Sequence, residues 1–455
     1  MEGQLTGRRV LIVGMGKSGI AATQALLKLG AKVTVQDIKK KEDVEPNLIQ
    51  FLEGVGVTCY FGRKPDPQDT FDLVVLSPGV PLYLDFIEEA KEKGAEIVGE
   101  LEIAFRVGAG LYVAITGTNG KTTTTTLVGE IFKRARRKTY VVGNIGVAVI
   151  SRALIATKDT WLVTEVSSFQ LETTKTFRPL VSAILNITED HMDRHQTMEN
   201  YISAKGEIFK NQEATDYTIL NYDDGHCRRL GETAPCKVVY FSRKEELPMG
   251  CFLRNGVIML KDLFQREIPV LPVEELLIPG NHNIENALAA TAVAFFSGID
   301  PEVIRETLKQ FGGVEHRLEF VEEVDGIRFI NDSKATNPDS TMKAVDAMPS
   351  GIVLIAGGYD KGNDFGELID SFAGKVKGLV LLGKTASKIK ETAESKGIRN
   401  IKMAKDMDES VRLAYEMAGC GDTVLLSPAC ASWDMYSNFE QRGEHFKTLV
   451  HKLAN

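Results

Sequence analysis

The chain has 455 residues, 43% of them hydrophobic and 25% charged, with 54 basic against 62 acidic side chains for a net charge of -8. That length is too great for one core and predicts roughly three domains, while the acidic balance and the lack of a long basic run argue against nucleic acid as the main partner. Cys59, Cys227, Cys236, Cys251, Cys420 and Cys430 form no C-x-x-C pair, the apolar run Val10–Val13 is too short for a signal segment, and no stretch reaches membrane-spanning length. A soluble cytoplasmic protein with reduced thiols and no membrane insertion is expected.

In chain order, RRVLIVGMG, AKVTVQD, FDLVVLSPG and AEIVG fill residues 8 to 99 with short β-branched runs bounded by glycine or polar residues, and amphipathic stretches lie between them. That alternation is the βαβ pattern of a parallel sheet. The first run ends in Gly14, Gly16 and Gly19, spelling G-x-G-x-x-G, and Asp37 follows the next strand. The spacing suits a pyrophosphate on a helix N-terminus, whether of NAD, of another dinucleotide-like ligand or of a nucleotide sugar, and it also suits a tight packing turn.

A second series, LYVAITG, KTYVVGN, WLVTEVSS and VSAILNI, is followed by HMDRH, the helix-like YISAKGEIFKN and the strands YTILN, CKVVYFS and VIMLK. GNHNIENALAATAVAFF reads as a capped helix, and IRFIND, GIVLIAGG, VKGLVLLG and DTVLLSP make a third series. The predicted fold is α/β in three domains: a Rossmann-like N-terminal domain over 1–100, a central P-loop ATPase-like domain with a mostly parallel sheet over 101–312, and a Rossmann-like C-terminal domain over 313–455.

The central loop VAITGTNGKTTTTT, residues 113 to 126, matches the phosphate-binding spelling G-x-x-x-x-G-K-[ST] at Gly120, Lys121 and Thr122, but Ile115 stands where the first glycine belongs. Gly117 and Gly120 permit the tight turn, Lys121 would reach terminal phosphates, and Thr122 would offer its hydroxyl to Mg²⁺; the remaining threonines are expected on the helix surface. Glu165, at the end of an apolar strand, suits a magnesium ligand as well as a cap or salt-bridge partner. His191, Asp193 and His195 follow the next strand without a third zinc ligand at a recognisable spacing, so a second metal site near the phosphates or plain loop polarity is expected. In the third series Asp332, Lys334, Thr336, Lys361, Ser432 and Phe439 all follow strands, where lysines and hydroxyls suit an anionic substrate. Each lysine taken alone reads better as a solvated surface residue.

Read together, TGTNGKTTT, NITEDHMDRH, SAKGEIF, GNHNIENALAA, GGVEHRLEF, INDSKATNPDS and SPACASWDMYSNFEQRG resemble the Mur ligases of bacterial cell-wall synthesis, whose loop regularly lacks the first glycine. The resemblance runs through all three series, from about residue 8 to 446, and the last two motifs are similar to the member that adds D-glutamate. It implies ATP- and Mg²⁺-dependent joining of D-glutamate to UDP-N-acetylmuramoyl-L-alanine through an acyl phosphate, in peptidoglycan precursor synthesis. ATP would be held by Gly117, Thr118, Asn119, Gly120, Lys121, Thr122 and Thr123, with Asn283 and Arg317, and Asp332 on the ribose. Of two Mg²⁺ ions, Thr122 and Glu165 would bind the first and His191 the second. Lys205, an ordinary helix lysine by its sequence surroundings, matches the lysine that this family carbamylates with CO₂, and the carbamate would face the metals.

The same resemblance places the UDP substrate on Gly14, Lys17, Ser18, Asp37, Lys39, Gly79, Asn144 and His191, and D-glutamate among Lys334, Thr336, Lys361, Ser432 and Phe439. Similar chains carry Thr-Arg after the aspartate, whereas this one has Ile38 and Lys39, so a phosphate contact there would be a point charge and not a bidentate fork. A monomer that closes its domains during turnover is expected. A sister Mur ligase, a folyl-polyglutamate synthase, an NAD-dependent dehydrogenase and a nucleotide-gated binding module are the competing readings.

Overall fold

The computed structural model describes residues 5–278, 280–360 and 362–454. They form two compact units, one running to Glu275 with Glu285–Lys309 added, the other combining Leu276–Ile284 with the chain from Gln310 onward. Three α/β layers make up these units, each built on its own sheet.

The first sheet contains β1 (Arg9–Val13), β2 (Lys32–Asp37), β3 (Thr58–Phe61), β4 (Leu73–Leu76) and β5 (Glu96–Gly99) in the order β3-β2-β1-β4-β5, all parallel. Val10, Leu11, Ile12 and Val74 are fully buried, as strands covered on both faces must be. The strand order reverses between β1 and β4, and the loops leaving those two strands carry Gly14 and Gly79. Ligands of open parallel sheets bind at such a reversal.

The central sheet holds β6 (Leu111–Thr116), β7 (Thr139–Gly143), β8 (Trp161–Glu165), β9 (Val181–Ile184), β10 (Tyr217–Asn221), β11 (Lys237–Ser242), β12 (Gly250–Arg254), β13 (Val257–Lys261) and β14 (Glu267–Pro272). Its order is β14-β13-β12-β11-β10-β9-β6-β8-β7, parallel except for the pairings of β13. Asn255 and Gly256, with φ of 49° and 75°, close the β12–β13 hairpin in the left-handed turn that this dipeptide favours. β6 lies between β8 and β9, so its loop opens at the centre of the parallel part.

In the second unit β15 (Glu319–Val324), β16 (Ile327–Asn331), β17 (Ile352–Ala356), β18 (Val376–Leu381), β19 (Ile401–Met403) and β20 (Thr423–Leu426) take the order β15-β16-β20-β17-β18-β19, antiparallel only at β15. The loops leaving β16, β20 and β17 come from three adjacent strands, and they carry the lysines and hydroxyls expected to meet an anion. No helix among the described residues is long and apolar enough to cross a membrane.

Candidate active site

β6 delivers a fully buried strand end into the loop Gly117–Gly120, and the helix Lys121–Arg134 begins at once. Gly120 has φ of 82°, and a Cβ there would lie 2.2 Å from Asn286 Oδ1, so glycine is required on both counts. The loop is tied to the segment after β9. Thr118 N–H donates to Asn186 O at 2.9 Å, Asn119 N–H donates to Asn186 Oδ1 at 2.8 Å, and Thr118 Oγ1 donates to Thr188 O at 3.0 Å. Lys121 Nζ donates back to Gly117 O at 2.9 Å and Thr118 O at 2.8 Å. A cation and a helix N-terminus thus share one place, which is what an anionic phosphate needs.

The threonine run departs from its expected surface position. Thr122, Thr123, Thr124 and Thr125 are all buried, and Thr124 Oγ1 donates to Asn286 Oδ1 at 3.3 Å. Their helix is covered by β7 and β8 and also reaches the helix Asn281–Phe296, which leaves Thr126 alone half-buried.

Glu165 ends β8 at 1% exposure. Its Oε1 accepts from Asn144 Nδ2 at 2.8 Å, but the buried Oε2 has no hydrogen-bond partner among the described residues, and neither has Thr116 Oγ1 one strand away. An unmatched carboxylate oxygen out of water is unfavourable, and a hard cation is the partner that suits it. Thr122 is buried in the first turn of the helix that follows β6, the strand beside β8.

The two histidines of HMDRH both pack on Phe169 but differ in burial. His191, in the left-handed region at φ 56°, is half-exposed, its Nε2 3.5 Å from Asp190 Oδ2 and its ring centre 4.9 Å from that of Phe169. His195 is buried, with Nε2 2.9 Å from Ser168 Oγ and Nδ1 3.1 Å from Glu172 Oε1. Burial lowers its pKa, against the opposing pull of Glu172. Ser168 is 4% exposed, so this serine–histidine–glutamate chain is a tether without substrate access.

Lys205 lies at the end of the helix Met198–Gly206 and is 1% exposed. No described residue offers its ammonium a hydrogen bond or an ion pair, and Nζ lies 4.5 Å from the Tyr201 ring centre. Burial, aided by the charge of Lys121, pushes its pKa well below the usual lysine value. Tyr201 also meets the glycine loop, its hydroxyl 3.2 Å from Thr118 Oγ1. Sequence reasoning missed Tyr201, Asn186 and Asn286; the last two sit inside the quoted motifs NITEDH and GNHNIEN, and Tyr201 gave no signal.

In the first sheet Gly14 has φ of 88°, and a Cβ on Gly19 would lie 1.9 Å from Gly14 O, so these glycines serve close helix–strand packing. Asp37 Oδ2 accepts Met15 N–H at 2.6 Å and its Oδ1 accepts Lys39 N–H at 2.9 Å, which makes the aspartate a fastener between the loop after β1 and its own. Lys17, Lys39 and Gly79 are exposed, Ser18 is half-buried, and Ile38 is 90% exposed.

The second unit gathers another set. Asp332, 4% exposed, accepts Ser427 Oγ at 2.7 Å and Leu318 N–H at 3.3 Å; burial raises its pKa to about 7, and Arg317 pulls the other way. Burial, followed by the charges of Arg317 and Lys343, lowers His282 to about 4. Asn283 belongs to this unit and is buried beside it in sequence. Lys334 Nζ lies 5.5 Å from the ring centre of Phe439, Thr336 is half-buried, Ser432 is 2% exposed, and Lys361 lies outside the described residues. Arg442, which sequence reasoning did not single out, is 3% exposed. It donates through Nε to Ser333 Oγ at 3.0 Å, through Nη2 to Ser333 O at 2.8 Å, and through both Nη atoms to Cys430 O at 3.1 Å. It therefore joins the loops that carry Lys334 and Ser432.

Three family descriptions match the chain: Mur ligase MurD-like N-terminal domain over residues 8–99, Mur ligase middle domain over 115–294, and Mur ligase glutamate ligase domain over 316–430. Proteins from Alkaliphilus oremlandii and Clostridioides difficile, both named UDP-N-acetylmuramoylalanine--D-glutamate ligase, are 51% and 50% identical to it, over 99% of each chain. Among solved structures, a UDP-N-acetylmuramate-alanine ligase from Thermotoga maritima matches with TM-score 0.61 at 20% identity, covering 98% of this chain and 99% of that one. MurF from Acinetobacter baumannii matches with TM-score 0.60 at 19% identity, covering 86% and 93%. These two likenesses speak to the fold alone.

Proposed function

The chain belongs to the Mur ligase family, and from that premise we infer that it joins D-glutamate to UDP-N-acetylmuramoyl-L-alanine in an ATP-dependent, ADP-forming step of peptidoglycan precursor synthesis. The observation that carries this reading is identity of about half over 99% of both chains with relatives so named.

A carboxylate is a poor acyl donor because its oxygen leaves badly. In this reading the L-alanyl carboxylate attacks the γ-phosphorus of ATP, ADP departs, and the acyl phosphate then accepts the amine of D-glutamate. The tetrahedral intermediate collapses with loss of phosphate and a proton. Anions must meet anions throughout, so cationic groups and positioning supply most of the rate.

Lys121 and the N-terminus of its helix would hold the terminal phosphates, with Thr122 and Glu165 as ligands of one Mg²⁺ and His191 of a second. Magnesium would draw negative charge from the phosphate oxygens. Burial favours the neutral amine of Lys205, the form that adds to CO₂ by making an N–C bond and releasing a proton, and the resulting carbamate would place a metal-facing anion there. Asn283, Arg317 and Asp332 would serve ATP, Lys334, Thr336, Lys361, Ser432 and Phe439 would receive D-glutamate, and Gly14, Lys17, Ser18, Asp37, Lys39, Gly79 and Asn144 would hold the UDP substrate. We assign residues 1–100, 101–312 and 313–455 to UDP substrate, ATP and D-glutamate, in a monomer that works in the cytoplasm. Phosphate release tests the reading: it must require ATP, UDP-N-acetylmuramoyl-L-alanine and D-glutamate together, and release that ignores either acceptor defeats it.

A further inference from the structure

The one-turn helix Met192–His195 cannot hold itself in place, because four residues do not recover the entropy of helix nucleation. It is bounded by His191 and Gln196, both non-glycine residues in the left-handed region at φ 56° and 66°. Such backbone persists only where the surroundings impose it. Arg194 supplies that constraint. Its Nε and Nη2 donate to Glu172 Oε2 at 3.2 and 2.9 Å, its Nη1 donates to Val80 O at 2.9 Å, and its guanidinium carbon lies 4.6 Å from the centre of the Phe169 ring, which also packs on His191. Val80 directly follows Gly79 in the loop leaving β4. The other oxygen of Glu172 meets His195, whose second nitrogen meets Ser168, three residues beyond Glu165.

One continuous set of contacts therefore runs from the loop after β4 of the first sheet, through Arg194 and Glu172, to the turn bearing His191 and the segment that begins at Glu165. We propose that Arg194 is a positioning residue for the ligation, fixing the turn that bears His191 against the Ser77–Val80 loop so that a nucleotide-linked acid lying along that loop presents its carboxylate at a set distance from the metal and phosphate groups. The inference rests on the ligase reading above. It needs a planar fork that bonds a carboxylate and a carbonyl in different directions at once, which lysine does not provide.

The test uses the full-length protein with Arg194→Lys and Arg194→Gln, measuring phosphate release against UDP-N-acetylmuramoyl-L-alanine, ATP and Mg²⁺, with thermal unfolding alongside. Displacement by about an ångström lowers kcat/KM for the UDP substrate by about 10- to 100-fold and raises the half-saturating Mg²⁺ concentration, while KM for ATP stays within about twofold. A kcat/KM within about threefold of the parent, or a decline of all parameters in step with the melting temperature, overturns the proposal. Should both variants fail to fold, Glu172→Gln, which keeps the shape and weakens the same link, must show the same split, and its absence overturns the proposal equally. If the unaltered protein releases no phosphate, the ligase reading itself has failed, and that result is separate from any effect of Arg194.

Discussion

Asn144 donates its side-chain amide to Glu165 Oε1 at 2.8 Å, while the second oxygen of that buried carboxylate goes unmatched by any described residue. The pair fixes the orientation of a negatively charged group at the end of a central strand, beside the glycine loop, and leaves one oxygen for a cation. Glu165→Gln keeps the shape and removes the charge. Phosphate release should fall by at least about 100-fold, since charge stabilisation in a dry site is a large part of such catalysis. Stability should stay within about 1 kcal/mol, because Glu165 forms no ion pair with any described residue; urea unfolding checks the second part.

Lys205 carries a pH signature. Its pKa is lowered in the folded state by burial and then by Lys121, so between that value and the ordinary lysine value the unfolded chain binds more protons. Stability therefore rises with pH through that window. In CO₂-depleted buffer Lys205→Met should be more stable than the parent at pH 7, with the gap narrowing as pH rises toward the usual lysine range. Denaturant unfolding at several pH values reads this directly. Lys205→Ala should be inactive and partly restored by a short carboxylic acid that occupies the vacated space; no restoration at any concentration counts against the carbamate.

Asp332 has the opposite sign. Burial raises its carboxyl from 3.8 to about 7, so the unfolded chain loses its proton first. The contribution of this group is fully present below about pH 4 and is lost as pH rises to about 7, by a few kcal/mol at most. Asp332→Asn should flatten that part of the stability–pH curve. An unchanged slope between pH 4 and 7 in the variant contradicts the assignment.

Arg442→Met should loosen the joint between the loops after β16 and β20, because Ser333 O and Cys430 O lose their buried donors. Leaving two such groups unmatched costs about 2–4 kcal/mol. Steady-state kinetics should show KM for D-glutamate rising by about tenfold or more with KM for the UDP substrate little changed.

The central strands were legible in the sequence because strands buried on both faces write continuous apolar runs, as in RVLIV and LYVAIT. Five strands were not. β3, β14, β15 and β19 lie at sheet edges, where burial is partial and the pattern thins to sequences such as TCYF and IKM. β12 escaped although its Asn255-Gly256 turn is a clear hairpin signal. At the candidate site, glycines and carboxylates at strand ends could be found because their spacing along the chain mirrors the fold. Lys205, Arg194 and Arg442 could not be read by local pattern, since each depends on partners far away in sequence. The threonines after Lys121 were misplaced for a related reason: a hydroxyl run reads as polar surface until β7 and β8 cover its helix.

The most direct measurement supplies ATP, Mg²⁺ and UDP-N-acetylmuramoyl-L-alanine together with one amino acid at a time, and follows phosphate release alongside the mass of the nucleotide product. D-glutamate alone should give one phosphate per product molecule heavier by one glutamyl residue. Equal turnover with L-alanine or with a diamino acid, or phosphate release without a heavier product, would contradict the assignment.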